Sequence, residues 1–191
     1  MIHCGQLYVL SLAPHCMVAV ATLSEVDRDD LIQCCKGIAE IVEWLDSIDG
    51  RPGLSELDTR LSTLPVNLDA LNRHIGYTDD DGYQRNIIKK TENYEMVAIT
   101  WKPGQKTPIH DHKGSDCAFL IVDGIATETI YNLNDDGFAE YSSARNYVPG
   151  EVCAAEEPDI HRISNDENCN LINLHVYTPP LSEFGIFSPA E

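Results

Sequence analysis

From Gly82 onward the chain is a succession of short apolar or β-branched runs separated by turn residues, and that rhythm admits only a few folds. The runs are Tyr94 to Trp101, Cys117 to Val122, Ile125 to Asn132, Phe138 to Ala144 and Asn170 to Tyr177. Each has strand length and is rich in side chains that suit a pleated, half-buried surface. Asp123-Gly124 and Asn134-Asp135-Asp136-Gly137 separate them as hairpin turns, because glycine accepts the positive φ such turns demand. Many short strands at regular spacing predict an antiparallel sandwich or barrel.

Ahead of these runs the apolar period lengthens to three and four. Ser24 can cap a helix with Asp27 at its third position, and Leu31, Cys34, Ile38, Ile41, Val42 and Leu45 recur at helical spacing until Asp49-Gly50 and Pro52. Two shorter helical patterns follow, Ser55 to Leu64 and Asn67 to Ile75, with Pro65 between them and Asn67 as the cap of the second. At 191 residues and 43% hydrophobic content the chain can bury one substantial core and is short for two. The expected architecture is α+β. A single domain over 25–191 would hold a helical part (25–77) packed against a small antiparallel, jelly-roll-like β-barrel (82–191).

Residues 1–24 read as an apolar leader of uncertain status. Leu7 to Leu23 is largely apolar and contains Ala19-Val20-Ala21, which looks like a signal-peptidase site, but it lacks a basic start and is interrupted by Pro14-His15. It is also too short and broken for a membrane span. Thirteen Lys+Arg against 31 Asp+Glu give a net charge of −18, a field that repels phosphate backbones and anionic lipid. Nucleic-acid and membrane partners are therefore not expected, and an anionic ligand would need a local cation to hold it. The seven cysteines form no C-x-x-C pair and are odd in number, so neither a disulfide framework nor a cysteine zinc site is signalled, and a monomer in the reducing cytoplasm is expected.

His110 and His112 are two apart, so on one strand they would share a face. Alone, such a pair also suits polar residues on a rim, or a structural zinc. His161 is the third candidate, preceded by Pro149-Gly150 and followed by Asn165. Gly104-x5-His110-x-His112 and His161-x3-Asn165 together resemble the two motifs of the cupin superfamily, which implies a small cupin-type barrel gathering His110, His112 and His161 on one metal. A typical cupin adds a glutamate where this chain has Cys117. Three neutral imidazoles leave open positions on iron(II) and keep the full dipositive charge of the ion, which favours an anionic, soft donor such as a thiolate.

Tyr83-Gln84-Arg85-Asn86, the His-Asp-His stretch with Cys117, His161, and Leu174-His175-Val176-Tyr177-Thr178-Pro179-Pro180 follow the order and approximate spacing of the cysteine dioxygenases, the thiol dioxygenase branch of the cupins, from about residue 55 onward. The resemblance implies Fe(2+) as cofactor, L-cysteine and O2 as substrates and cysteine sulfinate as product. It makes Arg85 a clamp for the substrate carboxylate, the local cation required above, since a guanidinium fork grips a carboxylate bidentately. Related mercaptopropionate dioxygenases commonly carry glutamine at the clamp, and Gln84 is adjacent, but Tyr-x-Arg-Asn is the pattern of the cysteine-using branch. Tyr177 would place its phenol beside the iron and His175 would orient it, with Asn173 where the family usually has serine. Cys117 matches the position of a thioether link to the tyrosine in animal-type members; a plain packed cysteine is the other reading. Thr178-Pro179 is cis in some of this family, whereas trans is the default. Two other activities stay open: dioxygenation of another small thiol such as mercaptopropionate, and a cupin that binds a ligand or isomerises it without oxygen chemistry. His3, His15 and His74 are read as packing or surface residues.

Overall fold

The computed structural model describes residues 8–12, 16–155 and 159–190. His3, Pro14 and His15 lie outside the described residues. Four helices come first: α1 (Glu25–Cys34), α2 (Lys36–Ser47), α3 (Leu54–Ser62) and α4 (Leu68–Asn72). Ser24 caps α1 by accepting from the Asp27 amide, and Asn67 caps α4 by accepting from the Ala70 amide, as the residue types predict. The long helix expected from Ser24 to Asp49 is instead two, broken at Cys35 in an extended conformation. The break seats Gly37 against the Pro65 carbonyl, where a Cβ would come within 2.6 Å of the oxygen. It also buries Cys35 and leaves Cys34, the expected core residue, exposed. Among the described residues no helix is long and apolar enough to cross a membrane.

Twelve strands are described. β1 (Tyr8–Leu12) and β2 (Cys16–Thr22) come from the segment read as a leader, and β2 runs parallel to β3 (Gln84–Lys90), burying Val18 and Ala19. Next are β4 (Glu95–Trp101), β5 (Ile109–His110), β6 (Asp116–Asp123), β7 (Ala126–Leu133) and β8 (Ala139–Tyr147). The last are β9 (Val152–Ala155), β10 (His161–Ser164), β11 (Leu171–Thr178) and β12 (Ile186–Phe187). They form a larger sheet ordered β1-β2-β3-β4-β11-β6-β9 and a smaller one ordered β12-β5-β10-β7-β8. Apart from β2 with β3, the pairings are antiparallel. Both hairpin turns form, with Gly124 and Gly137 at φ of 80° and 82°. No ladder among the described residues joins the two sheets, so the expected barrel is a pair of facing sheets.

The central strands β4 and β11 of the larger sheet are buried along their whole length because both of their faces are covered. On β4, Met96 and Ala98 join the helices in one core, while Val97, Ile99 and Trp101 join a second core facing the smaller sheet. β6 and β11 divide in the same way: Ala118, Leu120, Leu174 and Val176 go to the helix side, and Cys117, Phe119, Leu171 and Tyr177 to the other. A one-residue slip in any of these strands would exchange its two faces, so the register is tightly specified.

Candidate metal centre and active site

The three histidines converge where the two sheets face each other. His110 and His161 are direct partners in the β5–β10 ladder. His112 lies beyond β5, which ends at His110, and opens a turn through Gly114 (φ 81°) in which the Ser115 amide donates to the His112 carbonyl. The three ring centroids stand 5.0, 4.8 and 4.9 Å apart, nearly an equilateral triangle. One ligand nitrogen from each lies within 4.8 Å of the other two. The buried Nδ1 of His112 and Nε2 of His161 have no hydrogen-bond partner, which is what a metal ligand shows when its acceptor is an ion. Burial, then repulsion among the rings, depresses the imidazoles, to about 3 for His110 and about 2 for His112, so both present a neutral lone pair at ordinary pH. Three imidazole nitrogens in a facial set suit a first-row divalent ion with open positions.

Those depressed values also fix a pH dependence. The folded state binds fewer protons than the unfolded chain below the ordinary histidine value of about 6.5, so stability is full above that pH and declines as pH falls toward about 3. The chelator-treated protein is expected to lose melting temperature steeply across that window, and the double variant His110→Gln/His112→Gln to lose much less. Equal slopes in thermal scans from pH 7 to pH 3.5 would contradict this.

A second layer holds His161. Its Nδ1 donates to Glu128 Oε1 at 2.8 Å and lies 3.1 Å from Asp159 Oδ2, which fixes the tautomer and aims Nε2 at the other two rings. Glu128 is 4% exposed and also accepts from the Tyr147 hydroxyl at 3.0 Å and the Cys153 thiol at 3.3 Å. Burial works against its charge, but these donors, His161 first, hold its carboxyl below the usual range, while burial pushes Asp159 up. Glu128→Ala is expected to weaken divalent-metal affinity about 10–100-fold, and Glu128→Gln less, because the amide oxygen still accepts. Competition with a chromophoric chelator measures both.

The larger sheet supplies the other wall. A cavity of about 180 Å³ lies between the three histidines, Arg85 and Tyr177, below the ~300–1,000 Å³ of drug-sized sites and suited to a molecule of a few heavy atoms. Tyr177 and Cys117 are cross-strand partners on β11 and β6. The Tyr177 hydroxyl lies 3.1 Å from His175 Nδ1, and the Cys117 sulfur 3.8 Å from the same nitrogen. Burial raises the Tyr177 phenol and the Cys117 thiol and lowers the His175 imidazole, so all three are neutral at ordinary pH. The Arg85 guanidinium sits 5.3 Å over the Tyr177 ring. Asn173 does not continue the line to His175: its oxygen accepts from Trp101 Nε1 at 2.6 Å, and its buried amide nitrogen has no partner. The Thr178-Pro179 bond is cis rather than the default trans.

Several residues here carry no motif. Glu95 and Glu128 are carboxylates inside otherwise apolar or alternating runs, and Asp159 lies just ahead of β10; Glu128 shares the buried face of β7 with Ala126, a period-2 placement the sequence contains. Leu181 and Phe184 close one side of the cavity. The segment bearing them is tied down at Asp111, between the two histidines, whose Oδ1 accepts from the Gly185 amide at 2.6 Å.

Facing sheets with a three-histidine centre between them define a double-stranded β-helix, or cupin, with a metal-binding site. In keeping with this, an uncharacterized conserved protein with a double-stranded β-helix domain from Klebsiella pneumoniae superposes with a TM-score of 0.53 at 14% identity, over 74% of this chain and 99% of that one. The chain belongs to the cysteine dioxygenase type I family, whose sequence model matches residues 68–190. It is 26% identical over 107 residues to cysteine dioxygenase type 1 of Rattus norvegicus and 27% identical to that of Homo sapiens, covering 53% of this chain and 54% of each relative. The Danio rerio protein of the same name is 24% identical over 115 residues, 57% of both chains. The chain thus spans about half the length of the curated relatives it matches.

Proposed function

We propose that this protein is an iron(II)-dependent thiol dioxygenase that converts L-cysteine and O2 to cysteine sulfinate. The observation that carries this reading is a set of three histidines with no carboxylate among them, sharing a small cavity with a largely buried arginine and a tyrosine. His110, His112 and His161 would hold the ion. Iron(II) held there would supply Lewis acidity toward a thiol and a centre for oxygen chemistry.

The remaining work falls to the chain. Arg85 takes the substrate carboxylate and so fixes which way the sulfur points. Tyr177 keeps its proton and offers the hydroxyl as a donor toward the cavity, while His175 Nδ1 governs where that hydroxyl turns. The apolar walls, with Leu181 and Phe184, exclude water from a thiolate that would otherwise be oxidised without direction. In the net reaction the thiol loses its proton, both oxygen atoms bond to sulfur, and sulfur gives up the four electrons that O2 accepts. No external reductant is needed. The five cysteines described as free favour a reducing, cytoplasmic setting.

Cys117 and Tyr177, paired across β6 and β11, are proposed to form a thioether between Sγ and the ring. That bond releases two protons and two electrons, which O2 accepts to give hydrogen peroxide, and it fixes the phenol in place. Reducing peptide mapping of enzyme after turnover is expected to show a Cys117–Tyr177 peptide pair lighter by two hydrogens, absent from Cys117→Ser. Fully separate peptides from active enzyme would remove the link.

Anaerobic reconstitution with iron(II), followed by oxygen uptake and sulfinate detection with a panel of small thiols, tests the activity. Stoichiometric iron with no oxygen uptake on any thiol would overturn it and favour a non-oxygenase cupin.

A further inference from the structure

The cation that would grip a substrate carboxylate already has a carboxylate of its own. Glu95 opens β4, is 3% exposed, and shares the face of Val97, Ile99 and Trp101, so it lines the same cavity as the three histidines. Its Oε2 lies 3.5 Å from Arg85 Nη2 and 3.8 Å from Lys90 Nζ. The β3–β4 register produces this arrangement: Lys90 is directly opposite Glu95, and a shift between Ile87 and Lys89 separates it from the stretch in which Arg85 pairs with Ile99. Arg85 is itself only 14% exposed, so the pair is poorly screened by solvent.

A carboxylate arriving at Arg85 therefore shares the guanidinium with a fixed like charge. A mercaptocarboxylate brings only negative charge into this space. An amine-bearing thiol brings donors that a glutamate oxygen can accept, and a zwitterion adds no net charge. We propose that Glu95 is a specificity-determining residue that selects amine-bearing thiols over thiols whose only other group is a carboxylate. Lys90 is the partner that limits the effect, since it offsets part of the Glu95 charge. The inference rests on reading the cavity as a thiol site, but it concerns binding and is separable from oxygen chemistry.

The test uses the iron(II)-loaded protein held anaerobically, with calorimetric Kd values for cysteamine, which has an amine and no carboxylate, and 3-mercaptopropionate, which has the reverse. Glu95→Gln, which keeps shape and removes charge, should shift the Kd ratio about tenfold toward 3-mercaptopropionate, while Glu95→Asp stays near wild type. Lys90→Gln should move the ratio the other way, and it reports even if the Glu95 variants fold poorly. An unchanged ratio in Glu95→Gln, or an equal shift in Glu95→Asp, would overturn the proposal. Aerobic turnover of the same samples separates the two readings. The predicted ratio without oxygen uptake leaves the selectivity intact and removes the dioxygenase; uptake with an unchanged ratio does the opposite.

Discussion

His161→Ala is expected to reduce thiol-dependent oxygen uptake by at least about a thousandfold, on the order of 4 kcal/mol of lost transition-state stabilisation. His161 is the junction of both layers of the centre. Its Nε2 faces the other two rings, and its Nδ1 is gripped by Glu128 and Asp159. Removing the ring takes away one ligand of three and leaves a buried carboxylate without its main donor, so iron content should fall along with turnover. Added imidazole, which can occupy the space left behind, is expected to restore part of the metal and part of the rate. Full iron and full activity in the variant, measured by metal analysis and an oxygen electrode, would show that the centre lies elsewhere.

Arg85→Gln carries the second largest expected effect, and it acts twice. For L-cysteine, kcat/KM should fall about a hundredfold, chiefly through KM, because a single amide donor cannot reproduce the bidentate grip of a guanidinium. Stability should fall as well, because Glu95 remains buried at 3% exposure with the exposed Lys90 as its remaining ion-pair partner among the described residues. Breaking one side of a buried ion pair costs about 3–5 kcal/mol in general, and Lys90 should hold this case near or below the lower end. The double variant Arg85→Gln/Glu95→Gln is expected to recover stability without recovering cysteine affinity. Denaturant midpoints and steady-state kinetics on the four proteins of the cycle separate the two consequences.

Much of this arrangement was legible in the sequence, and the parts that were not share a cause. The hairpin turns at Asp123-Gly124 and Asn134–Gly137, the caps at Ser24 and Asn67, and the gathering of His110, His112 and His161 follow from local chemistry or from motifs. The helix break at Cys35 depends on Gly37 meeting Pro65, a tertiary contact with no local signature. His112 reaches the centre from a loop because β5 is only two residues long, a length that alternation cannot reveal. Val18 enters the second core through a parallel pairing with a strand more than sixty positions away, so a segment read as a leader becomes a wall of the cavity. Glu95 carries a faint signal, a single acid in an otherwise apolar run, but its pairing with Arg85 exists only in the register of β3 against β4. Asn173 could have continued a relay to His175; instead the indole of Trp101, distant in sequence, engages its oxygen.

The division of labour between the two sheets has a mechanical outcome. Two of the three histidines, His110 and His161, belong to the smaller sheet, whereas Arg85, Glu95, Cys117, His175 and Tyr177 all belong to the larger one, and among the described residues no ladder joins the two. Any molecule that touches the ion with one end and the guanidinium with the other is thus a rivet driven through both plates. Its occupancy adds cohesion to the whole sandwich in proportion to the logarithm of its concentration over Kd.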